Sequence, residues 1–166
     1  MEQVTINKSI NLSEHFSLGE VTKSSHTEIY NIPSHVAIEN LKRVCVWLED
    51  LRFTYNSLYC LKPGEDYETS KNVEPIIINS GYRSPELNKK VGGAPTSNHL
   101  TGCAVDIHVA GIEQALRYAV ILMDYADETK QDYDELLIER SPKGNYWVHF
   151  AVRPKDNRRK TMFITL

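Results

Sequence analysis

The sequence has few cysteines, little net charge and no long apolar run, and each shortage excludes a class of protein. Three cysteines without a Cys-x-x-Cys spacing do not make a disulfide framework, although a single Cys45–Cys60 bridge stays open. Basic and acidic residues number 19 and 22, and the net charge of -3 argues against binding nucleic acid by general phosphate neutralisation. No apolar stretch approaches the roughly 18 residues of a transmembrane helix.

The remaining composition is typical of a globular domain. With 166 residues, of which 41% are apolar and 25% charged, the chain is long enough to bury a core. We therefore expect one domain over residues 1–166, acting as a monomer. The first residues, Met1 to Ile6, lack the basic start and apolar stretch of a secretory signal, so synthesis in the cytoplasm is expected.

Hydrophobic periodicity predicts two helices and several short strands. Apolar residues recur at steps of four and three over about 34–56 and again over 112–126, which indicates two amphipathic helices. Strands are predicted from β-branched and alternating runs at 73–80, 104–109, 135–139, 146–152 and 161–165. Helices come first and strands mostly later, so the order favours an α+β fold over a doubly wound parallel sheet.

Three polar residues stand out in this pattern. His99 lies in a loop, Asp106 in an alternating strand, and His149 in the apolar strand after a hairpin turn. A carboxylate and a histidine in apolar strands are costly to bury unless something pairs them. Two imidazoles and one carboxylate suit zinc and leave a fourth tetrahedral position open. Each residue alone is more often an ordinary buried or surface group, so the prediction depends on their combination.

Short motifs around these residues make the combination specific. They are Ser-x-His-x-x-Gly-x-Ala-x-Asp at 97–106, Ser-Gly-Tyr-Arg-Ser at 80–84 and Trp-Val-His at 147–149. Together they resemble the zinc D-Ala-D-Ala carboxypeptidase family, whose relatives include L-alanyl-D-glutamate endolysins and the hedgehog signalling domain. The resemblance covers about residues 13–152 and is strongest to the small branch common in phages and prophages. It implies a hedgehog-like zinc peptidase fold, an antiparallel sheet with flanking helices.

The resemblance also implies roles for individual residues. It makes His99, Asp106 and His149 the zinc ligands. Arg83 would face the open side of the zinc and hold the substrate or the developing oxyanion, for which its rigid fork of donors is suited. Ser97 would orient the His99 loop or contact the substrate backbone. A surface turn residue and a plain serine turn are the ordinary alternatives for these last two.

The general base departs from the pattern of the relatives. Several of them carry a glutamate three residues before the second histidine, where this chain has Tyr146. The nearest carboxylate is Glu139, which the hairpin would place roughly opposite Trp147 and on the same face as His149. We expect Glu139 to move protons between the attacking water and the leaving amine. The alternative is a strand-end glutamate that faces solvent.

Two further features leave alternatives open. His108 shares a strand face with Asp106. As a fourth ligand it would close the site, but the resemblance gives it no such role, so we expect it beside the site or exposed. The segment 153–160 carries five positive charges and one negative. It is predicted to be a solvated turn, with contact to an anionic wall polymer as the alternative.

These residues predict a zinc metallopeptidase that hydrolyses an amide bond in the peptide stem of peptidoglycan. The sequence leaves open whether it is a D-Ala-D-Ala carboxypeptidase or an L-Ala-D-Glu endopeptidase. The expected cofactor is Zn2+, and the expected partner is the stem peptide rather than a nucleic acid. A lysis enzyme of this kind would act at the cell wall and leave the cytoplasm through a separate pore protein. The alternative is a non-catalytic zinc-binding or phage structural domain on the same scaffold, which Tyr146 favours.

Overall fold

A computed structural model describes residues 7–166, so the expectation about a signal at residues 1–6 lies outside the described residues. The helices are α1 Leu18–Thr22, α2 His35–Tyr59, α3 Pro85–Lys90 and α4 Ile112–Thr129, with a 3-10 helix at Asn98–Thr101. The strands are β1 Ile78–Ser80, β2 Ala104–His108, β3 Glu135–Arg140, β4 Tyr146–Ala151 and β5 Lys160–Thr165. This confirms the α+β class.

The two long helices form where the periodicity predicts them. Ser34 caps the start of helix α2, and its hydroxyl accepts a hydrogen bond from the Ala37 backbone N–H at 3.2 Å. Its predicted apolar stripe is buried, and both α2 and α4 continue three residues beyond their predicted ends. The described part of the chain contains no helix that is both long and apolar enough to cross a membrane.

The five strands form one mixed sheet in the order β1-β2-β4-β3-β5. The expectation of an antiparallel sheet is correct for β1 to β4 and wrong for β5, which pairs parallel to β3. The reason is that β2 already occupies the other edge of β4. The chain therefore turns back after β4 and joins the free edge of β3, where its direction matches that of β3.

The first predicted strand is also shorter than expected. Residues 78–80 are extended and paired, whereas residues 73–77 are not part of the sheet. Pro75 lies in this segment and has no N–H to donate to a neighbouring strand. The Cys45–Cys60 bridge left open by the sequence is not formed, because both thiols are free.

One face of the sheet packs on helices α2 and α4 and forms the core. Its inward side chains, all buried, are Val105, Ile107, Leu136, Ile138, Val148 and Phe150. Trp47 of α2 lies against them, with its ring centroid 5.3 Å from that of Phe150. Since successive side chains of a strand point to opposite faces, the alternate residues of β2, β3, β4 and β5 lie on the other, open face.

The strand register arranges these alternate residues in three parallel rows across the open face. The rows are Ala104, Ala151, Glu135 and Lys160; Asp106, His149, Leu137 and Met162; and His108, Trp147, Glu139 and Ile164. The middle row holds two of the three predicted metal ligands. Each outer row holds one glutamate of β3.

Candidate metal centre

His99, Asp106 and His149 converge on the open face of the sheet. Each offers one ligand atom, and these atoms all lie within 4.8 Å of one another. Oδ1 of Asp106 lies 3.3 Å from Nε2 of His99 and 2.9 Å from Nδ1 of His149. Two imidazole nitrogens and one carboxylate oxygen are a donor set that suits zinc. The residues present therefore fit a divalent metal held by three protein ligands.

The 3-10 turn holds His99 in one orientation. The Ser97 hydroxyl accepts a hydrogen bond from the His99 N–H at 3.3 Å. Nδ1 of His99 lies 2.6 Å from the Gly81 carbonyl oxygen, to which only a protonated nitrogen can donate. In the neutral ring this hydrogen bond places the proton on Nδ1, so that Nε2 is the nitrogen available to a metal.

Gly102 ends this turn and lets it approach helix α2 closely. Its φ is 72, in the left-handed region, and a Cβ at this position would lie 2.4 Å from the Ala37 carbonyl oxygen. A side chain would meet both a steric clash and an unfavourable backbone angle. The glycine of the sequence motif therefore has a local structural cause.

Arg83 contacts the ligand carboxylate directly. Its Nη2 donates to Oδ2 of Asp106 at 2.6 Å, and its Nε donates to the Ser80 hydroxyl at 2.9 Å. Burial opposes ionisation of Asp106, but the neighbouring charge of His99 and the hydrogen bond from His149 hold its pKa well below the usual range. Asp106 is therefore ionised and oriented by partners on both oxygens.

His149 lies between two carboxylates. Its Nδ1 faces Asp106, and its Nε2 lies 3.3 Å from Oε2 of Glu135. Burial alone would lower the pKa of His149, but contacts with the Asp106 and Glu135 carboxylates outweigh it and raise the pKa to about 9. The contact with His149 in turn lowers the pKa of Glu135 to about 2, against the effect of burial. Sequence reasoning missed Glu135; its position four residues before Glu139 on one strand was the available signal.

Glu139 lies where the hairpin register predicts it. It pairs with Trp147 and shares the open face with His149, while Leu137 pairs with His149 itself. Burial raises the pKa of Glu139, with the charge of His149 acting in the opposite sense. The two glutamates on either side of Leu137 are thus shifted in opposite directions, which is typical of carboxylates with different tasks.

Tyr146 points away from this site. In strand β4 the alternation puts Trp147 and His149 on the open face and Tyr146 on the other face. There the Tyr146 ring lies 6.3 Å from that of Phe163 and beneath the guanidinium of Arg140. No residue type at position 146 of this strand would therefore reach the metal cluster without a change in the backbone.

A cavity of about 580 Å³ covers the cluster and both glutamates. Arg83, Ser97 and Trp147 also line it. Trp147 also lines a second cavity of about 730 Å³, and His108 is among the other residues that line it. His108 is exposed and is not part of the three-residue cluster that could hold a metal.

The basic segment at 153–160 is a mostly exposed connection between β4 and β5, as predicted, but its Arg153 and Arg158 also line this cavity. Arg158 donates from Nε and Nη2 to Asp134, whose side chain is fully buried, at 2.9 and 2.7 Å. Arg153 Nε lies 3.1 Å from the same carboxylate and donates to Asn98 Oδ1 at 2.9 Å. A buried carboxylate requires such partners, and the arginines supply them.

Comparison with protein families agrees with this arrangement. The family model of peptidase M15 matches residues 65–133. The chain is similar to peptidase M15. The match covers less than half of the chain and contains His99 and Asp106, whereas Glu139 and His149 lie beyond its end. It supports a hydrolase of the metallopeptidase class. No curated protein matches the chain.

Proposed function

We propose that this protein is a zinc-dependent peptidase that hydrolyses an amide bond in the peptide stem of peptidoglycan. The observation that carries the proposal is the convergence of His99, Asp106 and His149 in an open cavity that also holds Glu139. The similarity to peptidase M15 supports the peptidase class. The wall substrate follows from the resemblance of the sequence motifs to enzymes that cleave D-amino acid amides.

His99, Asp106 and His149 would hold the zinc, with Nε2 and Nδ1 of the two histidines and Oδ1 of the aspartate facing one another. Bound zinc supplies Lewis-acid chemistry, which polarises a carbonyl and makes a water molecule more acidic. The surrounding side chains then have to position the substrate and move protons.

Glu139 is the proposed proton carrier. A carboxylate oxygen of Glu139 takes a proton from the attacking water and passes it to the nitrogen of the leaving amine. Burial raises the pKa of Glu139, and a base with a raised pKa transfers protons more efficiently near neutral pH. Its place on the His149 face puts it at the same cavity as the metal ligands.

Arg83 and Ser97 are proposed to position the substrate. Two guanidinium nitrogens of Arg83 are bound to Asp106 and Ser80, which fixes the plane of the group. Its third nitrogen, Nη1, would then donate to a substrate carbonyl or carboxylate oxygen. Ser97 lines the same cavity and holds the His99 turn, so a contact with the substrate backbone would come from the same short segment.

The proposed place of action is the cell wall. A phage or prophage lysis enzyme and a stem-trimming enzyme both fit, and passage through a separate pore protein is a prediction for the first. A non-catalytic zinc domain is the second candidate, which the tyrosine at position 146 favours. Because Tyr146 lies on the opposite sheet face and Glu139 lies at the cavity, that argument is weaker in the structure than in the sequence.

Digestion of purified peptidoglycan by the zinc-loaded protein, followed by mass spectrometry of the products, tests the proposal. We expect new amino groups, and the fragment masses identify the bond. Glu139→Gln should retain zinc and lose activity by about 10²-fold or more, while His149→Ala should lose both zinc and activity. Full activity in zinc-loaded Glu139→Gln would exclude Glu139 as the proton carrier. Bound zinc without cleavage of several wall types would favour the non-catalytic domain.

A further inference from the structure

Glu135 occupies the side of His149 that faces away from the other ligands. The Nδ1 atom of His149 is 2.9 Å from Asp106, whereas its Nε2 atom is 3.3 Å from Oε2 of Glu135. Nε2 is buried and has no hydrogen-bond partner among the residues that the structure describes. A buried ring N–H without an acceptor is unfavourable. The Glu135 carboxylate, at 3.3 Å, is close enough to become that acceptor after a small rotation of the ring or the carboxylate.

Several polar contacts hold the Glu135 carboxylate in place. Its Oε2 accepts a hydrogen bond from Asn98 Nδ2 at 3.1 Å. Its Oε1 lies 2.9 Å from Arg158 Nη2 and 3.6 Å from Lys160 Nζ. The Glu135 side chain is only 16% exposed. These partners fix both carboxylate oxygens, so the group next to His149 has little freedom to turn away.

Asn98 connects the same carboxylate to the other histidine. It directly precedes His99 in the 3-10 turn, and its Nδ2 also donates to Asp134 Oδ2 at 2.7 Å. The contact from Asn98 to Glu135 therefore joins the turn that carries His99 to the strand that neighbours His149. The Glu135 carboxylate therefore contacts His149 directly and the turn that carries His99 through Asn98.

We propose that Glu135 is the positioning residue of the metal centre. Its carboxylate accepts the Nε2–H of His149, so that the neutral ring that binds a metal carries its proton on Nε2 and directs Nδ1 at the metal site. Metal-binding histidines commonly need such an acceptor on the second ring nitrogen. Glu135 is not itself a ligand, because it faces Nε2 and lies outside the cluster of ligand atoms. The inference rests on the proposed metal site and is independent of the peptide bond that is cleaved.

A matched pair of variants tests the inference. Glu135→Gln and Glu139→Gln make the same chemical change on the same face of β3, on either side of Leu137. Zinc affinity is measured by competition with a chromophoric chelator at pH 9.5, above the pKa of about 9 of His149, so that loss of a competing proton does not offset the effect of the variant. We expect Glu135→Gln to bind zinc about 10- to 100-fold more weakly than the wild type, and Glu139→Gln to show a much smaller change. Equal affinities of Glu135→Gln and the wild type would overturn the inference, and so would equal losses in both variants, which would indicate a general charge effect.

A second measurement does not depend on a variant. Long-range ¹H–¹⁵N NMR of the zinc-loaded wild type should show His149 with a proton on Nε2 that exchanges slowly with solvent, as expected for a hydrogen bond to Glu135. A His149 ring without that proton, or one whose Nε2–H exchanges as fast as an exposed histidine, would refute the inference. Neither measurement uses peptide hydrolysis, so a protein that cleaves no peptidoglycan would leave this result unaffected.

Discussion

The affinity for zinc should rise steeply with pH, because a proton on His149 competes with the metal. Contacts with Asp106 and Glu135 raise the pKa of His149 to about 9, so the imidazole is protonated at neutral pH when no metal is bound. Zinc requires the neutral ring. At pH 7, about two units below this pKa, removing the proton from His149 costs about 3 kcal/mol, which lowers the zinc affinity about 100-fold.

Chelator competition at pH 7.0, 8.0 and 9.0 would measure this slope. We expect the zinc affinity to rise about tenfold per pH unit between pH 7 and 8 and to level off above pH 9. Calorimetry at pH 7 in buffers of different ionisation enthalpy should show about one proton released per zinc bound. His108→Ala is the control, because this exposed histidine lies outside the cluster and its loss should leave the slope unchanged. An affinity that is flat from pH 7 to 8 would refute the reasoning.

The same shift has the opposite effect on the metal-free protein. The folded-state pKa of His149 lies above the unfolded value, so its contribution to the free energy of unfolding is complete below about pH 6.5 and is lost as the pH rises through about 9. The loss amounts to about 3 kcal/mol. Urea denaturation in the presence of a chelator should show lower stability at pH 9.5 than at pH 7, and excess zinc should largely remove this difference, because the zinc-bound protein then holds a neutral His149 ring at both pH values.

Three further substitutions have defined outcomes. Gly102→Ala forces a side chain against a backbone carbonyl of α2 at a left-handed φ, so urea denaturation should show a loss of about 1–3 kcal/mol together with weaker zinc binding. Arg83→Lys keeps a cation beside Asp106, so zinc content should stay unchanged, but it removes the Nη1 donor proposed for the substrate, so peptidoglycan cleavage should fall about 100-fold. Asp134→Asn leaves its arginine partners without a carboxylate, and because they are partly exposed the cost should be about 3 kcal/mol or less, again by urea denaturation.

The features that the sequence predicts correctly are those with a local or periodic cause. The stripe of α2 repeats every three or four residues, and the structure buries it as a stripe. The Glu139–Trp147 pairing follows from the length of the hairpin turn, which sets the register. The cluster of His99, Asp106 and His149 follows from motif positions, and the structure brings its ligand atoms together.

The features that the sequence does not reveal depend on contacts between distant segments. The parallel pairing of β5 depends on which sheet edge is free after β4 is placed. The burial of Asp134 against Arg158 joins residues 24 positions apart and follows no periodic pattern. The contact between Glu135 and His149 requires both the β3–β4 register and the rotation of the imidazole ring.

The contact with His149 is the main reason why the two glutamates of β3 differ. Glu135 and Glu139 lie on the same face of one strand and both interact with the charge of His149, yet the pKa of the first is lowered and that of the second is raised. The difference lies in their neighbours. The contact with His149 is the main cause at Glu135, and the charge of Arg158 acts in the same direction, whereas burial dominates at Glu139. The basic segment therefore adds to the effect of His149 in keeping Glu135 ionised for its contact with that ring, whereas burial favours the protonated form of Glu139.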